Sequence, residues 1–346
     1  MRRSATAILL TALTLTAATS SAGTLVVANK SEATVSLVDT GSGVVRATLP
    51  TGNAPHEVAV SPDGRLALVG NYGTRDQPGS SLTLVDVPHA KVVKTIELEG
   101  YTRPHGIVWR SDRVALVTAE DQQRLLSVDV TTGEVVQAVA TDAEISHMVA
   151  AVPGGSRAFV TNIGSDSVTV IDLALGKRVA TIATGDGAEG VAVTLDQRQV
   201  WVTNRGADTV TVLDAATLEP LAALEAGSFP IRAEATTDGG HVLVTNAKGN
   251  DLSVFSTAKL AEVRRIPFAA VSKDAEGRLF SDRFGSSSVP IGIEIVDREG
   301  RAYIAHANAD DISIVDLETW QVVGTLSAGR EPDGMGWSPL KVEQEK

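Results

Sequence analysis

The chain has 346 residues, with 42 acidic and 30 basic side chains, a net charge of −12 at neutral pH and no cysteine. This acidic balance argues against a general attraction to the phosphate backbone of nucleic acids. The lack of cysteine excludes disulfides and thiolate metal sites, so burial of a core must hold the fold together.

The first 22 residues differ from the rest of the chain. Arg2 and Arg3 are followed by the apolar run AILLTALTL at 7–15 and by small residues up to Ala22. This pattern predicts a secretory signal peptide, and its apolar run is too short to span a bilayer. We therefore expect an exported protein, periplasmic or secreted, that does not insert into a membrane. Loss of the two arginines on cleavage would change the net charge to −14.

The remainder of the chain is built from a repeat of about 43 residues. An apolar motif that ends in aspartate in all but one copy recurs seven times: VSLVD (35–39), LTLVD (82–86), LLSVD (125–129), VTVID (168–172), VTVLD (210–214), LSVFS (252–256) and ISIVD (312–316). A second motif upstream ends in asparagine in five copies, at Asn29, Asn71, Asn162, Asn204 and Asn246, whereas Ala119 and His306 hold that column in the other two. Segments rich in Val, Ile and Thr between Gly, Asp and Pro predict strands and tight turns, and four strands per repeat are typical of a propeller blade.

The first complete repeat shows the strand order within a blade. Strands A to D are EVAVS, RLALVGN, SLTLVDV and KVVKTIEL. Residues 24–49 supply only strands B to D, and residues 333–338 supply a lone strand A. Pairing of these two segments completes a seventh blade and removes the free sheet edges. We predict an all-β, seven-bladed propeller of four-stranded antiparallel blades over residues 23–341, followed by a polar tail at 342–346.

The VTN ends of strand B, the SPDG turn at 61–64 and the V-x-V-x-D strands resemble the YVTN-repeat β-propeller family, including its YncE-like exported members. The resemblance covers essentially the whole mature chain and implies the propeller fold. Among propellers similar to this one, some are lactonases or lyases and others hold copper or haem near the axis. Because one fold hosts unrelated activities, function has to be argued from the site.

Three repeated signals are interpreted as structural. The aspartate column ends strand C before a turn, where a carboxylate accepts backbone N–H groups, and the asparagine column favours turns in the same way. The segment GDGAEG at 185–190 matches G-x-G-x-x-G, but a strand follows it where a nucleotide site requires a helix.

A polar column at the start of strand A is the main candidate for function. In blades one to seven it contains His56, His105, His147, Glu189, Ile231, Ile291 and Asp333. Because strand A lies innermost and the ring is closed, the five polar members should form a continuous arc at one mouth of the central channel. The histidines could simply be bonded to neighbouring backbone. Alternatively the arc could bind an organic ligand or a transition metal, and imidazole with carboxylate suits Zn, Cu or Fe; the predicted metal ligands are His56, His105, His147 and Asp333.

Further residues are predicted to share this rim. The candidate ligand-binding residues are Glu57, Glu189, Arg232, His306, Arg278 and Arg283. Two stretched loops also belong there, at 72–81 and at 273–288 within the long segment 268–289. The second could be a lid or partner-binding loop carrying Arg278, Phe280, Arg283 and Phe284, or a disordered surface loop.

The sequence leaves three functions open. The first is a binding module for a small ligand, a metal or a protein partner at the channel mouth. The second is a metal-dependent enzyme, lactonase-like, lyase-like or redox, with Glu57 or Glu189 as base. The third is nucleic-acid binding, which the resemblance to YncE-like proteins suggests. It would need a basic rim of Arg232, Arg278 and Arg283, and the negative net charge argues against it.

Overall fold

The computed structural model describes residues 22–152, 154–271, 278 and 281–343. The predicted signal peptide lies outside them, apart from Ala22. The described residues form seven four-stranded antiparallel sheets in which each strand pairs with its sequence neighbour, and these sheets are the blades of a propeller.

The strands follow the predicted order. The chain begins with β1 (Thr24–Asn29), β2 (Thr34–Asp39) and β3 (Val45–Pro50) of the closing blade, blade seven. Blade one comprises β4 (Pro55–Val60), β5 (Leu66–Gly73), β6 (Pro78–Asp86) and β7 (Lys91–Glu97). Blade two comprises β8 (Pro104–Trp109), β9 (Val114–Ala119), β10 (Arg124–Asp129) and β11 (Glu134–Ala140). Blade three comprises β12 (Ser146–Ala150), β13 (Arg157–Asn162), β14 (Ser167–Asp172) and β15 (Lys177–Ala183).

The second half of the chain repeats this arrangement. Blade four comprises β16 (Ala188–Val193), β17 (Gln199–Asn204), β18 (Thr209–Asp214) and β19 (Pro220–Glu225). Blade five comprises β20 (Pro230–Ala235), β21 (His241–Asn246), β22 (Asp251–Ser256) and β23 (Ala261–Pro267). Blade six comprises β24 (Pro290–Val296), β25 (Arg301–His306), β26 (Asp311–Asp316) and β27 (Gln321–Ser327), and β28 (Pro332–Ser338) returns to blade seven.

Helical structure is minor. The described residues contain one short α-helix, α1 (Ser281–Phe284), and three 3-10 turns, at Lys30–Glu32, Ile163–Ser165 and Asp297–Glu299. Within the part of the chain that the structure describes, no helix has the length and apolar character needed to cross a membrane.

Circular closure occurs as predicted. The last strand, β28, pairs antiparallel with β1, so that Thr24 lies opposite Ser338 and Leu25 opposite Trp337. Strands B and C of blade seven, β1 and β2, are almost entirely buried, whereas the outermost strand of a blade alternates exposed and covered residues, as in β7. Apolar side chains of neighbouring blades pack together; Leu68 and Leu84 of blade one, for example, pack with Ile107 and Trp109 of blade two. Burial between blades therefore links the sheets into the ring.

The asparagine column has the predicted structural role. The amide of Asn71 donates to the hydroxyls of Ser81 and Thr83, at 3.0 and 3.1 Å, and its oxygen accepts the backbone N–H of Gly52 at 2.9 Å. Corresponding amide-to-hydroxyl bonds are made by Asn29, Asn162, Asn204 and Asn246. The column thus links strands B and C, and Asn29 and Asn71 also accept a backbone N–H from the loop that precedes strand A.

The aspartate column forms the predicted turns. Oδ1 of Asp39 accepts the backbone N–H groups of Gly41 and Ser42 at 3.1 and 2.8 Å, and Asp214 does the same for Ala216 and Thr217. These carboxylates are used by their own turns. The segment 185–190 runs into strand β16, as predicted, so no helix is present to receive a phosphate.

Candidate functional site

A left-handed residue precedes strand A in every blade. Its φ is positive at Ala54, Arg103, Ile145, Gly187, Phe229, Val289 and Glu331. Six of these seven residues are not glycine, although this conformation costs an L-residue roughly 1–2 kcal/mol. Since each residue stands immediately before its strand, the turn directs the first residues of strand A into the same mouth of the channel.

Close approach of neighbouring A strands brings the column together. A Cβ on Gly106 would lie 2.6 Å from the backbone nitrogen of Val149, and one on Gly334 would lie 2.5 Å from the backbone oxygen of His56. Only glycine permits such contact between backbones. The side chains that precede these glycines are consequently crowded against each other.

The predicted polar column forms an unbroken chain of contacts, which we call the polar arc. Nδ1 of His56 lies 2.8 Å from Oδ2 of Asp333. The ring centroids of His56 and His105 are 4.2 Å apart, and those of His105 and His147 are 3.6 Å apart. Nε2 of His147 lies 3.4 Å from Oε1 of Glu189. The imidazoles therefore meet at the axis and do not enter separate crevices between blades.

A second column, missed in the sequence analysis, supplies partners to the polar arc. It is the residue that follows the asparagine column, namely Lys30, Tyr72, Glu120, Ile163, Arg205, Ala247 and Ala307 from blade seven round to blade six. Its polar members contact the arc. The ammonium of Lys30 lies 3.0 Å from Nε2 of His56 and 3.1 Å from Asp333, and Arg205 donates to Glu189 at 2.8 Å.

Tyr72 and Glu120 complete the surroundings of the histidines. The Tyr72 ring stands edge-on to His56 and to His105, 5.3 Å away in each case. Its hydroxyl donates to Glu120 at 2.6 Å, and the other oxygen of Glu120 lies 2.5 Å from Nδ1 of His147. The sequence contains a partial signal for the second column, which is apolar in blades five and six, where the first column is also apolar, although Ile163 makes it apolar in blade three as well.

An ion pair closes the channel beneath the polar arc. Arg232 of blade five reaches across to Glu57 of blade one, binding its carboxylate through two nitrogens, and lies 3.6 Å from Glu189. Arg232 is only 4% exposed. Sequence analysis placed Arg232 and Glu57 at the rim; the structure buries both, so Arg232 supplies no surface charge.

The protonation states differ along the arc. Burial, and then the charges of His147 and His56, hold the pKa of His105 well below its ordinary value. Burial alone would lower the pKa of His147, but the carboxylates of Glu120 and Glu189 raise it above its ordinary value. Burial likewise opposes ionisation of Glu189, yet His147 and the neighbouring guanidinium groups lower its pKa to about 2, which makes it a weak base.

His105 is the exceptional member of the arc. It is 0% exposed, and within the described residues neither ring nitrogen has a hydrogen-bond partner. A buried polar group left unsatisfied costs about 1–3 kcal/mol and calls for an explanation. His105 belongs to two overlapping groups of potential metal ligands, one with His56 and Glu57 and one with Glu120 and His147, whose ligand atoms lie within 4.8 Å of each other.

His306 is not part of this cluster, contrary to the sequence prediction. Its Nδ1 lies 2.8 Å from the Ser288 hydroxyl and its Nε2 lies 2.8 Å from the Ser313 hydroxyl. It substitutes for the asparagine of the other blades, linking strands B and C of blade six. The prediction failed because the end of strand B directs this side chain into the blade.

The described part of the 268–289 segment covers the apolar side of the mouth. Phe284 packs with Ile231 and Ile291, the two apolar members of the first column. Arg278 is paired with Asp310 at 2.5 Å, and Arg283 lies over the ring of Phe229. Residues 272–277, 279 and 280 are outside the described residues, so the choice between a lid and a disordered loop remains a prediction.

Solved structures share the fold at low sequence identity. Hydrazine synthase of Kuenenia stuttgartiensis is 18% identical with a TM-score of 0.68, the match covering 82% of this chain and 90% of that one. A functionally unknown protein of Desulfotomaculum acetoxidans DSM 771 is 15% identical with a TM-score of 0.74, over 93% and 100% of the two chains. The dihydro-heme d1 dehydrogenase NirN in complex with DHE is 16% identical with a TM-score of 0.64, over 90% and 74%.

Sequence comparison identifies the family. No curated protein sequence matches this chain significantly. The model of the YNCE-like beta-propeller family matches residues 100–283, more than half of the chain, from the start of blade two into the long segment before blade six. The chain therefore belongs to the YNCE-like β-propeller family.

Proposed function

We propose that this propeller is a binding module that holds a first-row transition-metal ion among His105, His147 and Glu120. The observation that carries the proposal is the pair of unpartnered nitrogens on the fully buried ring of His105. Its depressed pKa keeps the imidazole neutral at physiological pH, which is the form that binds metals.

The donor set fits such an ion. Two imidazoles and a carboxylate suit Zn, Cu, Fe or Ni, and the protein has no cysteine to offer. Zinc binds imidazole nitrogen at about 2.0–2.1 Å, so two ligands of one ion lie no more than about 4 Å apart. Ligand atoms now within 4.8 Å of each other would therefore move inward by about an ångström on binding.

This ligand set differs from the one expected from sequence. His56 and Asp333 contact each other and Lys30, whose ammonium competes with a metal for both side chains. Tyr72 is better placed to assist, since its hydroxyl already orients Glu120. Ion binding must displace the proton that His147 holds, because its neighbouring carboxylates favour the imidazolium form. Affinity should consequently rise with pH.

Metal analysis tests the proposal. Protein purified without chelators is analysed by elemental mass spectrometry, and the chelator-treated protein is then titrated with Zn²⁺ and Cu²⁺. We expect one ion per chain and a thermal stabilisation that corresponds to about 2.7 kcal/mol when free metal is 100 times Kd. His105→Ala should abolish both effects. His89→Ala is the matched control, because His89 is exposed and contacts Asp86 outside the cluster.

Two results would overturn the proposal. One is a wild-type protein that neither carries nor binds these ions. The other is His105→Ala protein that binds the same ion with undiminished affinity and stabilisation. If His105→Ala unfolds, His105→Asn provides a smaller change, and metal-dependent stabilisation remains the measured quantity. Export of the protein stays an expectation from residues 1–22, which N-terminal sequencing of the mature chain would check.

A further inference from the structure

A cavity lies on the side of the Arg232–Glu57 pair that faces away from the polar arc. It occupies about 510 Å³ along the channel and reaches Pro62, Leu195 and Thr237, in the turns that follow strand A. Ligand sites typically enclose about 300–1,000 Å³, with mostly apolar walls and a few polar groups. This cavity has that character and opens away from the polar arc.

Small and apolar residues make up most of the wall. They come from the inner strands of all seven blades, and among them are Ala59, Val108, Ala150, Ala192 and Gly336. Besides Glu57, which is paired with Arg232, two carboxylates lie in this wall at equivalent strand positions, Glu234 on β20 and Glu294 on β24, which belong to neighbouring blades. Trp337, also in the wall, donates its backbone N–H to Glu294 at 3.0 Å.

These two carboxylates lack the cations that accompany the other channel acids. Glu57 and Glu189 bind Arg232, and Asp333 binds Lys30. Within the described residues, no ion pair involves Glu234 or Glu294. Two carboxyl groups without a cationic side chain, inside an apolar wall, suit a ligand that brings a positive charge and can also cover that wall.

Their titration agrees with this geometry. Burial and the charge of Glu294 raise the pKa of Glu234 well above its ordinary value, and burial raises the pKa of Glu294 to about 8. Without a cation the pair therefore retains a proton near neutral pH. A cation placed between the carboxylates would release that proton.

We propose that this cavity binds an organic cation, a protonated amine on an apolar chain, with its ammonium between Glu234 and Glu294. The ammonium provides the missing positive charge and hydrogen-bond donors. The apolar chain displaces water from the walls formed by residues such as Val108 and Ala192. Mg²⁺ and Ca²⁺ fit poorly, since they prefer six or more oxygen ligands or several retained waters.

Calorimetric titration with n-octylammonium chloride tests the proposal, with octanol, sodium octanoate and MgCl₂ as matched probes. We expect octylammonium to bind at one site and the other three probes to bind at least about tenfold more weakly. Comparison of buffers with different ionisation enthalpies should show that octylammonium binding releases protons. Glu234→Gln and Glu294→Gln should each weaken octylammonium binding about tenfold or more. Glu219→Gln, on an exposed outer turn, should leave it unchanged.

Three outcomes would overturn the inference: no octylammonium binding, octanol or Mg²⁺ binding as tightly as octylammonium, or unchanged affinity in the double glutamine variant. Glutamine preserves the size of the side chain and adds no charge to the wall, so loss of folding is not expected. The metal proposal is tested separately, because His105→Ala should retain octylammonium binding and Glu234→Gln should retain the metal.

Discussion

Replacing His306 with asparagine should make the protein more resistant to acid. His306 is 2% exposed and holds the column position that asparagine occupies in five other blades. Pro290 pairs with His306 in the same register as Pro55 with Asn71, so an asparagine amide can reach the hydroxyl of Ser313 as in those blades. The variant keeps a strand-linking hydrogen bond and removes the titratable ring.

The magnitude follows from the pKa of the imidazole. Burial lowers the pKa of His306 from its ordinary value of 6.5 to about 4. Above pH 6.5 the ring is neutral in both states and contributes no pH dependence. Between pH 6.5 and 4 the unfolded chain binds a proton that the folded protein excludes, so the free energy of unfolding falls with decreasing pH. A pKa difference of this size corresponds to about 3 kcal/mol.

Urea denaturation at pH 4, 5, 6 and 7 measures the effect. The informative quantity is the free energy of unfolding of His306→Asn minus that of the wild type, in which all other titrations cancel. We expect this difference to become more favourable to the variant by about 3 kcal/mol from pH 7 to 4. A difference that stays constant over this range would refute the neutral, buried state of His306. Any pH-independent cost of the shorter side chain changes this difference equally at pH 4 and pH 7, so the change in the difference with pH is unaffected.

Three further experiments test the channel. Gly334→Ala places a Cβ 2.5 Å from the backbone oxygen of His56, so urea denaturation should show a loss of about 2 kcal/mol or more; wild-type stability would contradict this close approach. Arg232→Met leaves Glu57 buried without its cation and should cost about 3–5 kcal/mol in the same assay, and adding Glu57→Gln should restore part of it. A double variant no more stable than Arg232→Met would contradict the pairing. Burial raises the pKa of Glu294 from 4.5 to about 8, so the wild type should lose more stability than Glu294→Gln as pH rises through that interval. Parallel stability profiles of the two proteins would rule this out.

The repeat carries nearly all the information about the fold. Each blade repeats the same alternation of strand motif and turn residue, so strand order, blade number and closure could be predicted from periodicity alone. Closure then placed Asp333 beside His56, residues at opposite ends of the chain, and the structure confirms that contact. Equivalent residues of a ring share one height and one distance from the axis, so the first column could be placed from the repeat.

Contacts across or between columns were not predictable in this way. Arg232 in blade five reaches Glu57 in blade one across the channel. That contact depends on the channel diameter and on the length of the two side chains. Periodicity gives neither quantity. Glu120 and Tyr72 lie one position beyond the asparagine column, and periodicity does not indicate that this position faces the polar arc. His306 was misplaced because its column was known but the direction of its side chain was not.

Blades five and six show what the propeller requires at the mouth of the channel. There the two columns contain Ile231, Ile291, Ala247 and Ala307, which pack into an apolar cluster with Phe284. In each of the other five blades the first of these positions carries an imidazole or a carboxylate, and in four of them the second position is polar as well. Because a buried charged network is often no more stabilising than well-packed apolar residues, ring closure does not explain the polar arc. The apolar alternative exists in the same chain and closes the same ring, and this contrast supports the proposal that the arc serves binding.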